Sequence, residues 1–171
     1  GPAPDGELYF AFALLNADAR WGSTGSINYY SEAMAVLGAL KTYLMVNNMI
    51  VFSPSVSNVT DPSYNIPAFY NYFAKRVTAQ ADKDYWNNAA TTSRTFLQNH
   101  LSTAPSGLPT FLASPAGGYL SGNLFAGQAN PAQYYEYDAW RVALNIAMDA
   151  HLTGVQPWQK TAVDKLLTFL K

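Results

Sequence analysis

Three short stretches of this chain stand out for bringing carboxylates close to aromatic residues. The first is Ala3-Pro4-Asp5-Gly6-Glu7-Leu8-Tyr9-Phe10-Ala11, running on to Trp21. The second is Asp61-Pro62-Ser63-Tyr64, followed by Ile66-Pro67-Ala68-Phe69-Tyr70. The third is Tyr135-Glu136-Tyr137-Asp138-Ala139-Trp140-Arg141, with Asn145 and Asp149 further on. A positioned carboxyl can give or take a proton. Tyrosine offers an apolar face and a hydroxyl, matching sugars, whose faces are apolar and whose edges hydrogen-bond. Each stretch also has a plainer account. Asp5 reads as a helix N-cap with Glu7 complementing the helix dipole. Asp61 to Tyr64 reads as a turn leading into an amphipathic helix. Asp138 and Arg141 read as an i, i+3 ion pair on a helix surface.

Other chemistries find no support. The chain has no G-x-S-x-G elbow, Walker loop or G-x-G-x-x-G. His100 and His151 are isolated and lack HExxH spacing, so no metal site and no cofactor is expected. Net charge is −1 without a Lys/Arg cluster, which argues against nucleic acid and anionic membranes as partners. No apolar run approaches the ~20 residues of a membrane span. Cysteine is absent, excluding disulfides and thiolate sites. The opening Gly1-Pro2-Ala3-Pro4 shows no signal peptide and leaves open one that has been removed. Asn58-Val59-Thr60 is a glycosylation sequon of the kind that chance often produces.

The elements that must position these residues read as helices. Apolar periodicity predicts Glu7–Trp21 with a stop at Gly22, Ile27–Val46, Asn65–Ala79 with Pro67 in its first turn, Asp84–His100, Tyr135–Leu152 and Gln156–Leu170. Met49–Phe52 is a short extended candidate. Glu7–Trp21 is apolar on all sides, the mark of a buried helix. Tyr85, Trp86, Ala89, Ser93, Phe96 and Leu97 share one face of the fourth helix. Trp158, Val163, Leu166, Leu167 and Leu170 are expected to face the core from the sixth. Leu101–Asn130, rich in Gly, Ser, Pro and Ala, reads as a long loop, and such loops are usually functional or disordered. The length suits one domain, 1–171, of about six helices paired into αα-hairpins. Charged residues are 12% of the chain, about half the usual ~25%, so much of the surface is hidden in a core or against another segment. The 12 Tyr, 9 Phe and 4 Trp exceed what a core readily absorbs, because buried Tyr hydroxyls need partners.

Taken together, in this order and spacing, the three stretches resemble glycoside hydrolase family 8 over nearly the whole chain. The wording PDGELYFA, DPSY-x-x-PAFY and YDAWR is similar to the xylan-acting members, among them xylanases and reducing-end exo-oligoxylanases. The resemblance implies an all-α (α/α)6 barrel, incomplete here, with 1–171 as the C-terminal part of the catalytic domain. It implies inverting hydrolysis of β-1,4-xylan or xylo-oligosaccharides, which uses one protonated and one ionised carboxyl about 6.5–9.5 Å apart. By this resemblance Asp138 is the general base, Tyr64 holds the water or the base, and Arg141 keeps Asp138 ionised. Asp5 bonds the sugar at the cleavage subsite and Tyr137 neighbours the cleft. Tyr70 and Trp140 are sugar platforms or core, while Trp21 is assigned to the core first. Secretion is the expectation for a polymer-degrading relative.

The chain departs from the family in two ways. Pro4 stands where the family signature usually has Ser or Thr, and Glu7 where Asp is commoner. More important, the family's general acid belongs to a Glu-Gly-x-x-Tyr-Gly motif that is missing, and Glu7, Glu32 and Glu136 are the only glutamates. The chain is therefore expected to start after the acid and to need a missing N-terminal segment or a second chain to complete the barrel. The other readings are a carbohydrate-binding but catalytically incomplete fragment and a structural helical toroid. Endo and exo action stay open, with Leu101–Asn130 as the region in which a blocking loop is sought.

Overall fold

The computed structural model describes residues 3–104 and 106–171; Gly1, Pro2 and Pro105 lie outside it, and with them part of the opening read as a cleavage edge. Six α-helices dominate the described residues: α1 (Pro4–Trp21), α2 (Tyr29–Ala39), α3 (Pro67–Arg76), α4 (Gln80–Thr103), α5 (Arg141–Thr153) and α6 (Pro157–Leu170). Their ends follow local chemistry. Pro4, Pro67 and Pro157 each open a helix, where the missing N–H costs nothing. Asn28 caps α2 by accepting from the Ser31 N–H at 2.9 Å, and Gln156 and Gln159 form a reciprocal box at the start of α6. Gly22 ends α1 at φ 75°, a conformation that side chains resist.

The helices pair as α1 with α2 and α3 with α4, α6 packs against both α5 and α4, and α3 also touches both α1 and α5. Three helical hairpins make half of a closed (α/α)6 barrel. Leu8, Leu15, Leu37, Phe69, Phe73 and Trp86 fill the main core between α1 and α4. A second cluster, Phe96, Leu97, Leu101, Val142 and Ile146, joins α4 to α5, with Trp158 of α6 packed on it.

The structure changes several expectations. The second helix stops at Ala39; a π-helical turn, Leu40–Leu44, leads into β1 (Met45–Val46), antiparallel to β2 (Met49–Ile50). Asn47 and Asn48 sit at φ 51° and 64° between the strands, the left-handed pair that a tight hairpin requires. The fifth helix begins at Arg141, not Tyr135, because a 3-10 turn, Tyr137–Trp140, precedes it. The long connector runs from 104 to 136 and is packed: Val59, Leu112 and Ala132 form a core beneath it. On α1 only one side is covered, and Phe10 and Trp21 are 59% and 72% exposed, so Trp21 is not core. On α6, Leu167 and Leu170 are likewise exposed.

Candidate active site

The three carboxylate–tyrosine stretches lie at the N-terminal ends of α1, α3 and α5. Asp5 occupies the first turn of α1, where Ala3, not Asp5, is the N-cap. Asp61–Tyr64 precedes α3, and Tyr137–Trp140 precedes α5. Parallel neighbours bring these ends together, and the 3-10 turn bearing Tyr64 packs against α1, α5 and the turn bearing Asp138. Helix N-termini carry about half a positive charge, which favours anionic side chains there.

Arg141 joins two of the three stretches. Its guanidinium donates to Asp5 Oδ2 at 2.8 Å and forms an ion pair with Asp138. The i, i+3 pair read from the sequence is therefore present, and the long-range partner Asp5 is added to it. Burial works against the charge on Arg141, but the Asp5 hydrogen bond and the two carboxylates outweigh it and hold the pKa above its ordinary value. Asp138 itself is half-open to solvent, with 46% of its side chain exposed, while Asp5 is largely covered at 18%. An accessible carboxylate next to a covered one suits a group that must meet a water.

Tyr64 is buried, its ring stacked parallel to Phe52 at 6.1 Å. Burial, reinforced by the charges of Asp61, Asp5 and Asp138 and opposed by Arg141, raises its pKa. The phenol thus stays a neutral donor among carboxyls. The chain around it is held tightly. Asn145 donates to the carbonyls of Ser63 at 2.8 Å and Asn65 at 3.3 Å. Ser93 donates to Asn65 Oδ1 at 2.8 Å. Arg141, Asn145 and Asp149 line one face of α5 at four-residue intervals. Asp149, fully buried, accepts from Arg94 Nε and Nη2 at 2.8 and 2.6 Å and from Gln159 at 2.8 Å. One polar stripe thereby ties α5 to α1, to the Tyr64 turn, to α4 and to α6.

Asp61 was legible only as a turn residue, yet it is the most perturbed acid of the site. It is wholly buried; Oδ1 accepts from the Ser63 N–H at 2.7 Å, and Oδ2 has no partner. Burial pushes its pKa from the ordinary 3.8 up to about 7, against the pull of the Ser63 N–H, with Asp138 adding to the rise and Arg141 opposing it. The one local signal was Asp61 as a cap for the Pro62 turn, which says nothing of burial.

The aromatic candidates separate. Tyr137 sits at φ 48°, a left-handed conformation costly for a side chain, and its half-exposed ring leans on Phe111 at 4.6 Å. Trp140 is 57% exposed and free to act as a platform. Tyr70 is not: it is 0% exposed and stacked on Trp86 at 5.8 Å, so it presents no face to a sugar. Its α3 position puts it on the face toward α4, a direction the DPSY-x-x-PAFY wording does not reveal. Among the described residues no group of His, Asp and Glu has the arrangement of a metal site.

The chain is similar to known proteins over nearly its whole length. The profile of glycosyl hydrolases family 8 matches residues 1–168. The chain is 31% identical, over 99% of its length and 46% of the relative's, to the reducing-end xylose-releasing exo-oligoxylanase Rex8A of Paenibacillus barcinonensis. It is 33% identical to the reducing end xylose-releasing exo-oligoxylanase of Halalkalibacterium halodurans, covering 99% of the chain and 44% of the relative. Among solved structures, a cold-adapted family 8 xylanase superposes with a TM-score of 0.96 at 58% identity, covering 99% of this chain and 43% of that one. The chain thus spans less than half the length of these relatives.

Proposed function

The chain belongs to glycosyl hydrolases family 8, and from that membership we propose that it is the base-bearing half of an inverting β-1,4-xylan hydrolase. Asp138 takes the proton from the attacking water. Tyr64, a neutral donor, orients the water or the base. Arg141 neutralises Asp138 and Asp5 and fixes their separation, leaving Asp5 to bond the sugar at the cleavage subsite. Tyr137 and Trp140 flank the sugar chain. The observation that carries this reading is the joining of Asp5 and Asp138, 133 positions apart, through one guanidinium at the ends of α1 and α5. A structural toroid has no need of an ionic cluster half-open to solvent, where desolvation is costly and stability gain small.

An inverting mechanism also needs a protonated carboxyl on the far side of the glycosidic oxygen. None of Glu7, Glu32 or Glu136 belongs to the Arg141 cluster, and Asp61, though protonated, is wholly buried and out of reach of a sugar; we therefore assign the acid to another part of the catalytic domain or to a second chain. The bare apolar surface of α1 supports this: Phe10, Trp21 and Tyr29 line an open groove with Phe12 and Leu14, the kind of surface that marks an interface. Xylan is the favoured substrate because identity to the xylanase, 58%, exceeds the 31–33% to the exo-oligoxylanases. A polymeric substrate places the activity outside the cell.

The test is a reducing-sugar assay on xylan and xylo-oligosaccharides, with proton NMR of the anomer released. The chain alone is expected to be inactive, and the chain joined to a family 8 N-terminal half carrying the acid is expected to release the α-anomer. Full turnover by the soluble monomeric chain would overturn the two-part reading. Tight xylan binding without turnover in the completed domain would favour the binding-module alternative.

A further inference from the structure

His100, near the end of α4, is fully buried and remote in sequence from every site residue. Its Nδ1 lies 3.0 Å from the Gly117 carbonyl, which can only accept. Its Nε2 lies 3.1 Å from the backbone N–H of Thr110, which can only donate. These partners assign one tautomer: Nδ1 carries the proton and Nε2 is bare. The Thr110 hydroxyl, 3.3 Å from Nε2, is itself engaged with the Leu112 carbonyl at 2.8 Å. The ring lies parallel to Phe96 at 5.8 Å, and Tyr119 is the titratable side chain that faces it, at 5.0 Å. Gly117, at φ 89°, rests so closely on α4 that an added Cβ would stand 3.1 Å from the His100 backbone nitrogen and 3.2 Å from the Phe96 carbonyl oxygen.

The residues that His100 grips lead to both halves of the site. Thr110 is followed by Phe111, whose N–H donates to the Tyr134 carbonyl at 2.8 Å and whose ring supports Tyr137 at 4.6 Å. Ala113 exchanges two backbone bonds with Thr60, at 2.9 and 3.0 Å, immediately before the Asp61–Tyr64 turn. The strip 110–113 thus lies between the Tyr64 turn and the Tyr137–Asp138 turn.

We propose that His100 is a positioning residue for the catalytic site: as a neutral Nδ1–H imidazole it fastens the strip 110–113 to α4, and through that strip sets the register of the Asp138 turn against the Tyr64 turn. The catalytic part of this inference rests on the glycosidase reading, and the structural part does not. Protonation of Nε2 would aim a donor at the donor of Thr110 and undo the grip.

Long-range proton–nitrogen NMR on the chain reads the tautomer directly. A protonated Nδ1 and a bare Nε2 at neutral pH are expected; the other tautomer or an imidazolium overturns the proposal without any variant. His100→Phe keeps the ring and the Phe96 stack but neither bond. It is expected to speed amide exchange about ten-fold or more at Thr110–Ala113 and at Ala139, whose N–H donates to the Glu136 carbonyl at 3.0 Å, while amides of α3 keep their protection. Unchanged exchange at Ala139 overturns the coupling to the site. Should His100→Phe not fold, His100→Leu, which likewise keeps neither bond, is read in the same way. In the completed domain, His100→Phe is expected to lower kcat on a xylo-oligosaccharide by about a hundred-fold, the cost of a misplacement near 1 Å, with KM little changed. An unchanged kcat in an active domain refutes the positioning role. If the unmodified domain is inactive, the glycosidase reading has failed and the NMR results decide the structural part alone.

Discussion

Replacing Asp61 by Asn tests whether a buried acid beneath the site is protonated in the folded chain. The folded pKa is about 7 and the ordinary value 3.8, with burial as the leading cause. The folded form therefore holds a proton over this interval that the unfolded chain has released. Stability is fully present below 3.8, falls as pH rises towards about 7, and levels off above it. The difference corresponds to about 4 kcal/mol at about 1.4 kcal/mol per tenfold, a large part of a typical domain's 5–15 kcal/mol. Asn cannot ionise. It retains an oxygen for the Ser63 N–H and places a neutral amide where Oδ2 has no partner. Urea unfolding, followed by tryptophan fluorescence, measures the effect, because Trp86 is buried while Trp21 and Trp140 are exposed. Between about pH 4 and about pH 9 the parent chain is expected to lose about 4 kcal/mol that Asp61→Asn does not lose. Subtracting the two curves removes the contribution of His100, which has the opposite sign. Parallel curves, with a constant difference across the range, would refute the argument that burial keeps Asp61 protonated.

Three further outcomes are expected. In the completed domain, Asp138→Asn lowers kcat by about 10²–10⁴-fold, the usual worth of a general base, with little change in KM in steady-state assays. Asp149→Ala strands the Arg94 guanidinium, which is 15% exposed and bound to a carboxylate that is 0% exposed; urea unfolding should show a loss of about 3–5 kcal/mol. Burial lowers the pKa of His100, opposed by its bond to Gly117, so its contribution to stability is complete above the ordinary imidazole value of 6.5 and is lost as pH falls below it. His100→Phe abolishes that acid-side slope, as seen by comparing unfolding midpoints of the two proteins at acidic and neutral pH.

Much of the fold is written in local chemistry. Helix starts at Pro67 and Pro157 and the stop at Gly22 are short-range events, so the sequence reading places them within a few residues. The places where it slips are those decided by partners far along the chain. Ile27–Val46 has helical periodicity throughout, yet Asn47 and Asn48 form a hairpin turn that takes Met45 and Val46 into a strand. The apolar residues of α1 and α6 look alike whichever face is covered, and only the packed chain leaves Phe10, Trp21, Leu167 and Leu170 in the open.

The same division runs through the site. The likeness of the three stretches to family 8 drew attention to Asp5, Tyr64, Asp138 and Arg141, and the structure brings Arg141 against both Asp5 and Asp138. The i, i+3 pairing of Asp138 with Arg141 was also within reach, since helical geometry alone makes those positions neighbours. The bond from Arg141 to Asp5, the burial of Asp61 and Tyr70, and the grip of His100 on Thr110 and Gly117 were not. Each depends on which surfaces the helices turn towards one another, and so on the dielectric and hydrogen-bond partners of a side chain. Those are properties of the assembled helices and connector, and no local pattern of residues encodes them.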